Sequence, residues 1–296
     1  MKKIPEITIV VIVYNNEKFL PGFLNSLKKV PRDIYLEYIF VDNASTDSSK
    51  KFLEKLSNID LNFKLISNKK NEGFARAVNK AIIISKGKFI LLLNPDSTVP
   101  KKAISQIYKV ISVDKRLAVV GGTLIDLVTM KHQPSHLMKP NFLMILFEFT
   151  NLKKVFPNNI FSKFLWYENV ESKKKGKFYV DATCGAFMII RKEVGSRINF
   201  FDENYFMYLE DLDFCLRIKK SGYKVAHTNK SHINHFSGGS SLLSNPKNRI
   251  NEKAWRDSRK YFFQKHYNIF IGIIFFVLFN IEDILLSVRK MLVDKE

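Results

Sequence analysis

Short apolar runs alternate with helical patterns through the first hundred residues, and this alternation constrains the fold more than any other feature of the chain. Runs rich in β-branched and aromatic residues predict strands at 7–13, 35–41, 63–66 and 89–93. Between these runs, apolar residues recur at the spacing of one helix face. This order requires crossover helices between neighbouring strands. It therefore predicts an α/β fold with a Rossmann-like, mostly parallel central sheet flanked by helices.

The regular pattern ends near residue 121, after a predicted helix at about 101–112 and a strand at about 117–121. Residues 130–177 are irregular, aromatic and basic. Regular patterns return at 178–191, with a predicted helix at 211–221 and a strand at 223–226. We therefore predict one domain over residues 1–240, with halves of about 1–121 and 122–240, followed by a C-terminal helical arm over 241–296.

The charge balance narrows the class of partner. The chain has 48 Lys and Arg against 28 Asp and Glu, a net charge of +20. This excess favours a polyanionic partner such as nucleotide phosphates or anionic lipid. We expect no nucleic acid, because no recognisable DNA- or RNA-binding module is present. Cys184 and Cys215 are the two cysteines, which indicates a reducing compartment and no disulfide framework.

The most apolar stretch lies in the C-terminal arm, at residues 269–281. It is shorter than the ~20 residues that a membrane-spanning helix needs. Basic residues flank it on both sides, a pattern typical of a helix lying in a membrane interface. A core helix or a helix that pairs two subunits fits the same pattern. We expect a cytoplasmic protein that is peripheral on the inner face of the cell membrane through residues 260–293, or a homodimer formed through this arm.

Polar residues follow the predicted strands at their carboxyl ends, where open parallel sheets bind ligands. Asn15 follows the first strand, Asp42 the second, and Asn94 and Asp96 the fourth. The turn after the first strand has no glycine, and the chain lacks a P-loop, so a Rossmann dehydrogenase and a P-loop NTPase are excluded. A divalent cation is another means of binding nucleotide phosphates, and Asp96 is suited to hold one. A turn-forming aspartate is the alternative interpretation.

A second acidic cluster, at 210–213, lies between apolar residues. Glu210, Asp211 and Asp213 can divide substrate contact and proton abstraction between them, or can form an acidic helix N-terminus. His235 is a candidate metal ligand or phosphate contact, with a structural histidine as the alternative.

Several of these segments, in this order, resemble family 2 glycosyltransferases of the GT-A fold, in the branch that includes rhamnosyltransferases. They are VVIVYN (10–15), VDNASTD (41–47), NEGFARAVN (71–79), LLNPD (92–96), CGA (184–186), FDE (201–203) and EDLD (210–213).

The resemblance implies a nucleoside-diphosphate sugar donor, bound by the first half of the domain. Asp42 is expected to hydrogen-bond the base, and Tyr14 and Asn15 to complete the base and ribose pocket. Arg76 and Asn79 are expected to face the diphosphate or the ribose.

The resemblance also implies a metal site and a catalytic base. Asn94 and Asp96 occupy the place of the family's D-x-D motif, with Asp96 and His235 as ligands of Mg²⁺ or Mn²⁺. Asn94 replaces the first acid of that motif, which leaves the metal identity open. Asp211 matches the catalytic base.

Around this base, the resemblance assigns the positioning of the acceptor or the donor sugar to Glu210, Asp213, Cys184 and Gly185. The predicted reaction is an inverting transfer from thymidine diphosphate rhamnose or a uridine diphosphate sugar. The acceptor is a hydroxyl of a saccharide or lipid-linked saccharide in surface polysaccharide assembly. The alternatives are a sugar-phosphate nucleotidyltransferase and a basic membrane-surface protein without activity.

Overall fold

A computed structural model of the chain describes residues 4–31, 33–57, 62–150, 152–156, 160–165, 176–236 and 249–293. The strands within these residues are β1 Ile7–Val13, β2 Leu36–Asp42, β3 Phe63–Ser67, β4 Phe89–Leu93, β5 Ser97–Thr98, β6 Leu117–Asp126, β7 His132–Gln133, β8 His136–Leu137, β9 Lys177–Tyr179, β10 Ala182–Thr183, β11 Phe187–Arg191 and β12 Lys224–His235. The helices are α1 Leu20–Lys28, α2 Ser49–Ser57, α3 Phe74–Ile84, α4 Ala103–Val113, α5 Phe142–Glu148, α6 Leu152–Val155, α7 Ile160–Leu165, α8 Lys192–Arg197, α9 Glu210–Lys220, α10 Arg249–His266 and α11 Ile269–Val293.

The central sheet has the strand order β3-β2-β1-β4-β11-β6-β12-β5. β3, β2, β1 and β4 pair in parallel, as the alternating pattern predicts. All five residues of β4 are buried, as are all but one of β1, because helices cover both faces of the sheet. The predicted α/β fold class is confirmed.

The second half of the sheet mixes strand directions. β11 runs antiparallel to both of its neighbours, β4 and β6, whereas β12 runs parallel to β6 and antiparallel to β5. β12 continues to His235, well beyond the strand predicted at 223–226. Beyond residue 226 it contains buried polar residues such as Thr228 and Ser231. An apolar pattern therefore misses this part of the strand, which is the part that brings His235 to the centre of the molecule.

Two hydrophobic layers enclose the sheet. One layer includes Phe23 of α1 and Ile104 of α4. The other includes Val78 of α3 and Phe214 of α9, together with Phe263 and other residues of the C-terminal helices. The C-terminal arm is thus part of the core. The division at residue 240 stays a prediction, because residues 237–248 lie outside the described part of the chain.

Candidate functional site

The carboxyl ends of β1, β2 and β4 meet at one edge of the sheet. Asp42, the last residue of β2, pairs with Val13, the last residue of β1. On the other side of β1, Val10 pairs with Leu92, and β4 ends one residue later. Because neighbouring strands lie about 4.8 Å apart, β2 and β4 run about 10 Å apart on the two sides of β1, and β4 ends two residues short of the level of Asp42. The predicted donor residues of the strand ends therefore share one edge.

Asp42 has an unused acceptor atom. Its side chain is fully buried, and its Oδ1 accepts a hydrogen bond from the Ser45 backbone N–H at 3.2 Å. Its Oδ2 is buried without a hydrogen-bond partner. Buried carboxylate oxygens are rarely left unpaired, so this atom indicates a position for an N–H or O–H donor from a ligand.

The loop after β1 is tied to the loop after β2. Asn15 adopts a left-handed backbone conformation, with φ +56°, that asparagine tolerates better than most residues. Its N–H donates to Ser45 Oγ at 3.0 Å, and its Oδ1 accepts from Thr46 N–H at 2.8 Å. The neighbouring Tyr14 is 39% exposed. Tyr14 and Asn15 therefore lie beside the loop that follows Asp42, as predicted for one pocket.

His235 and Asp96 form a buried pair. β12 pairs with β5 so that His235 lies opposite Ser97. This register places His235 Nε2 3.3 Å from Asp96 Oδ1, an oxygen that is buried without a hydrogen-bond partner. Asn94 Nδ2 lies 3.3 Å from the same imidazole nitrogen. The three residues that were predicted at the metal site are therefore together.

Gln133 determines which nitrogen of His235 carries the proton. The Gln133 amide Nε2 donates to Asp126 Oδ2 and to the His235 carbonyl, both at 3.0 Å, so its Oε1 must be the atom that faces the imidazole. This oxygen lies 2.9 Å from His235 Nδ1 and can only accept. Nδ1 therefore holds a proton, so the neutral imidazole of His235 has its lone pair on Nε2, the nitrogen that lies nearest Asp96.

The Asp96 and His235 pair fits a divalent cation. A carboxylate oxygen is a ligand that Mg²⁺ and Mn²⁺ prefer, whereas an imidazole nitrogen is more typical of later transition metals. Mg²⁺ commonly takes one or two protein carboxylates and completes its shell with water and phosphate oxygens. Gln133 orients the imidazole as outer partners do at metal sites. Within the described residues, no cluster of three His, Cys, Asp or Glu side chains is arranged to hold a metal ion. The site therefore requires oxygen ligands from a substrate or from water.

Asp211 lies in the first turn of α9, a helix that begins directly after two left-handed residues, Tyr208 (φ +74°) and Leu209 (φ +66°). Its Oδ2 accepts from Gly185 N–H at 3.1 Å, and its Oδ1 accepts from Leu212 N–H at 2.8 Å. Burial raises the pKa of Asp211, and these backbone hydrogen bonds lower it only in part. The carboxylate is thus held in one orientation with increased basicity.

Glu210 precedes this residue and is more deeply buried. Its Oε2 has no hydrogen-bond partner. Burial, followed by the negative charge of Asp211, raises the pKa of Glu210 well above its ordinary value. Both carboxyls are thus poised for proton transfer or for a hydrogen bond to a sugar hydroxyl.

The loop at 184–186 connects the two acidic sites. Ala186 accepts from Asn94 N–H at 3.2 Å, and Gly185 donates to Asp211. Burial raises the pKa of the Cys184 thiol to about 12, with further contributions from the charges of Asp211, Glu210 and Asp96. Asp211, Glu210 and Asp96 therefore all lie close enough to this loop to affect Cys184. Cys184 itself stays a thiol and is no nucleophile at neutral pH.

Comparison with known proteins agrees with this arrangement. Residues 8–194, more than half of the chain, match the profile of Glycosyl transferase family 2. The chain belongs to glycosyl transferase family 2. The family that the sequence motifs indicated is therefore confirmed.

Relatives of this family 2 protein match different shares of its length. Rhamnosyltransferase WbbL of Escherichia coli is 40% identical over 58 residues, which cover 20% of this chain and 22% of WbbL. An uncharacterized glycosyltransferase of Haemophilus influenzae is 27% identical over 124 residues, 42% of this chain and 38% of that protein. Several curated relatives are thus matched over well under half of their length. The N-acetylglucosaminyl-diphospho-decaprenol L-rhamnosyltransferase of Mycobacterium tuberculosis is 22% identical over 248 residues, 78% of this chain and 76% of the enzyme.

Solved structures support the GT-A fold of this family 2 protein. A mannosyltransferase from Pyrobaculum calidifontis, in complex with GDP-Man and Mn²⁺, superposes with a TM-score of 0.57 at 18% identity, over 89% of this chain and 63% of that one. GalNAc-T7, with UDP, GalNAc and Mn²⁺, superposes with a TM-score of 0.63 at 15% identity, over 88% of this chain and 48% of that one.

Asp213, which is expected to position a sugar, has its carboxylate engaged by basic side chains of the protein. Its carboxylate is fully buried and contacts Arg217 Nε, Lys265 Nζ and His266 Nε2, each at 2.7 Å. Burial alone would raise the pKa of Asp213, but the hydrogen bond from His266 and the charge of Arg217 hold it at about 2. Asp213 therefore joins α9 to the end of α10.

Asn79 joins α3 to the 201–203 segment. Its Nδ2 donates to the Phe201 carbonyl at 2.8 Å, and its Oδ1 accepts from Phe201 N–H at 3.2 Å. Its expected role at the diphosphate or the ribose stays a prediction. Arg76 lies one turn earlier and pairs with Glu203 at 3.1 Å, with both side chains nearly half exposed. Its role at the diphosphate stays a prediction.

Two residues of the site were not predicted. Gln133 lies in the irregular region, where no periodicity identified β7. Asn43 is within a quoted motif, directly after β2. It donates to Asn71 Oδ1 at 2.8 Å and accepts from Asn68 Nδ2 at 2.9 Å. Asn43 therefore joins the loops after β2 and β3, and its position after a buried strand was the available signal.

Proposed function

We propose that this protein transfers a sugar from a nucleoside-diphosphate sugar to an acceptor hydroxyl, with inversion of configuration. The observation that carries the proposal is the loop at 184–186, whose Gly185 N–H donates to Asp211 and whose Ala186 carbonyl accepts from Asn94 N–H. Around this loop, the Asp96 and His235 pair and the Asp211 carboxylate are proposed to face one crevice. Thymidine diphosphate rhamnose or a uridine diphosphate sugar is the proposed donor. Rhamnosyltransferases among the relatives and UDP in a structural neighbour support this choice.

The nucleotide is proposed to lie along the edge formed by β2, β1 and β4. Asp42 Oδ2, which has no partner in the protein, accepts a hydrogen bond from the base. Tyr14 and Asn15 complete the pocket beside it. The diphosphate extends toward Asp96 and His235, which together hold Mg²⁺ or Mn²⁺; Mn²⁺ in two structural neighbours supports this cation class. The bound cation neutralises charge that develops on the leaving diphosphate.

Asp211 is the proposed catalytic base. Its carboxylate is held by Gly185 N–H and Leu212 N–H, and burial raises its pKa, so it is oriented and basic enough to take the proton of an acceptor hydroxyl. Removal of this proton lets the hydroxyl oxygen attack the anomeric carbon from the side opposite the diphosphate. The reaction is a single displacement without a covalent sugar intermediate. Glu210 hydrogen-bonds a sugar hydroxyl next to the base.

The proposed acceptor is a saccharide or lipid-linked saccharide of surface polysaccharide assembly, at the inner face of the cell membrane. A sugar-phosphate nucleotidyltransferase is the second enzyme class weighed. Two features disfavour this second class. The loop after β1 has no glycine, and Asp211 stands in the position of a catalytic base.

The test is a screen of nucleoside-diphosphate sugars by calorimetry in the presence of Mn²⁺, followed by donor turnover. We expect one donor to bind in a metal-dependent way and to be hydrolysed slowly or transferred. Asp211→Asn should retain donor binding and lose turnover. Binding that does not depend on the metal, or turnover that persists in Asp211→Asn, contradicts the proposal.

A further inference from the structure

The helix α11 has one buried side and one exposed apolar side. Gly272, Phe275 and Phe279 are buried, and the rings of Phe275 and Phe279 lie 5.4 Å and 5.6 Å from that of Phe263 in α10. The opposite side, which we call the apolar face, is between 49% and 76% exposed at each of its residues. It consists of Ile269, Phe270, Ile273, Ile274, Val277 and Ile281.

The helix α5 presents further exposed apolar residues beside the buried side of α11. Phe142 and Leu143 are each 44% exposed, and the ring of Phe142 lies 5.1 Å from that of Phe275. Exposed apolar patches of this extent in a soluble domain mark interaction surfaces. None of the helices in the described part of the chain is long and apolar enough to cross a membrane.

The acidic residues of α11 are turned away from the apolar face. Glu282 and Asp283 are the acids within this helix, and Arg259 pairs with both of them, at 2.7 Å and 2.9 Å. Lys260 also pairs with Asp283 at 2.7 Å. Their negative charge is thus neutralised inside the α10–α11 hairpin and does not oppose contact with an anionic surface.

A basic cavity lies at the corner where α10 meets α11. It has a volume of about 260 Å³ and is lined by Lys139, Lys219, Lys220 and His266, with Asp181 and Leu216. Lys139 lies over the ring of Tyr267, two residues before the start of the apolar face. Lysine clusters beside an apolar helix are suited to anionic headgroups.

We propose that the apolar face and this basic cavity together bind an anionic lipid bilayer, with the apolar side chains in the acyl boundary and a headgroup phosphate in the cavity. Charge decides between a bilayer and a second copy of the chain. Two chains of net charge +20 repel each other, whereas an anionic bilayer attracts each of them.

The surface is connected to the candidate base. His266 lines the cavity and contacts Asp213 in α9, and Asp211 lies in the first turn of the same helix. Ser258 Oγ of α10 also donates to the Met207 carbonyl, just before that helix, at 2.8 Å. Binding to the bilayer therefore fixes the orientation of the crevice relative to the lipid surface. If the proposed glycosyl transfer is correct, this orientation favours an acceptor whose lipid anchor stays in the membrane.

The experiment is vesicle flotation of the full chain, with mixed phosphatidylglycerol and phosphatidylcholine vesicles compared with phosphatidylcholine alone. We expect binding to the anionic vesicles, reduced in 1 M NaCl, where the Debye length is about 3 Å. Lys139→Ala and Lys220→Ala should each weaken binding by about fivefold. The double variant Ile269→Glu with Ile273→Glu should weaken vesicle binding at least as much as a variant that combines Lys139→Ala and Lys220→Ala.

The matched control is Ile83→Glu with Val113→Glu, two apolar residues that are 79% and 75% exposed in α3 and α4. This variant should bind vesicles like the unmodified chain. Equal flotation of the Ile269 and Ile273 variant, or no flotation of the unmodified chain, overturns the proposal. The proposal is also overturned if light scattering detects a dimer of the unmodified chain that Ile269→Glu with Ile273→Glu converts to a monomer. The apolar face would then bind a second copy of the chain. Donor binding in solution is measured separately, so failure of the proposed transfer is distinguishable from failure of membrane binding.

Discussion

Gln133→Leu tests whether an outer partner of His235 controls the metal site. The substitution removes the oxygen that lies 2.9 Å from His235 Nδ1 and keeps a side chain of similar size. Without this acceptor, the imidazole proton is free to move to Nε2, the nitrogen that faces Asp96 Oδ1 at 3.3 Å. Protonated Nε2 cannot bind a cation, so the affinity for the metal must fall.

The expected loss of metal affinity can be estimated from other metal sites, where a hydrogen-bond partner orients the ligating histidine. Removing such a partner typically lowers metal affinity about 10- to 100-fold, or about 1.4 to 2.8 kcal/mol of binding free energy. The fold should be retained, because Asp126 still accepts from Val128 N–H at 3.0 Å and Thr129 N–H at 2.6 Å. The assay is Mn²⁺ titration by electron paramagnetic resonance in the presence of nucleotide.

The matched control is Asn234→Leu, which removes a side-chain hydrogen bond to Thr98 Oγ1 from the residue before His235 and leaves the imidazole contacts intact. This variant should bind Mn²⁺ like the unmodified chain. An Mn²⁺ affinity of Gln133→Leu within about twofold of that of the unmodified chain would be well below the loss expected when the hydrogen-bond partner of a metal ligand is removed. This result would show that Gln133 does not select the tautomer of His235.

The other predictions concern the acidic residues. Asp96→Ala should abolish metal-dependent donor binding in calorimetry while the circular dichroism spectrum is unchanged; unaltered binding would remove this residue from the site. Asp211→Asn should lower the transfer rate about 10²- to 10⁴-fold with donor affinity retained. Asp42→Asn should weaken nucleotide binding, and equal affinity in calorimetry would exclude a contact with the base. Because burial raises the pKa of Glu210, its contribution to stability is present below its ordinary pKa and is lost as the pH rises through the raised value. Glu210→Gln should therefore raise Tm more at about pH 8 than at about pH 5, and an equal effect would refute the burial argument. Asp213→Asn should lower the free energy of unfolding by about 3 to 5 kcal/mol, as expected for a broken buried ion pair, and a thermal melt that is unchanged would contradict the placement of this carboxylate.

The parallel half of the sheet could be predicted because its strands are buried on both faces. β4, for example, is a run of five apolar residues between polar ones, all of them buried. The end of β12 could not be predicted, because Thr228 and Ser231 are buried through hydrogen bonds and close packing and not through apolar character. His235 was found by its motif and not by its strand.

The roles of single residues were harder to predict than their location. Asn79 and Asp213 lie in motifs of the family, but their polar atoms are used by Phe201 and by Arg217, Lys265 and His266. Phe201 lies more than 100 residues after Asn79 in the sequence. Lys265 and His266 lie more than 50 residues after Asp213. The spacing of motif residues therefore contains no information on these contacts. Long-range pairing alone decided which motif residues remain available to a ligand.

Anomalous diffraction from a crystal with Mn²⁺ and a uridine or thymidine diphosphate tests the central claim most directly. The account predicts one manganese peak within coordination distance of Asp96 Oδ1 and His235 Nε2, with diphosphate oxygens completing the shell and the base near Asp42. It also predicts that Asp211 opens onto the same crevice, across the 184–186 loop. A manganese peak bound elsewhere, or a nucleotide separated from Asp211 by that loop, would contradict it.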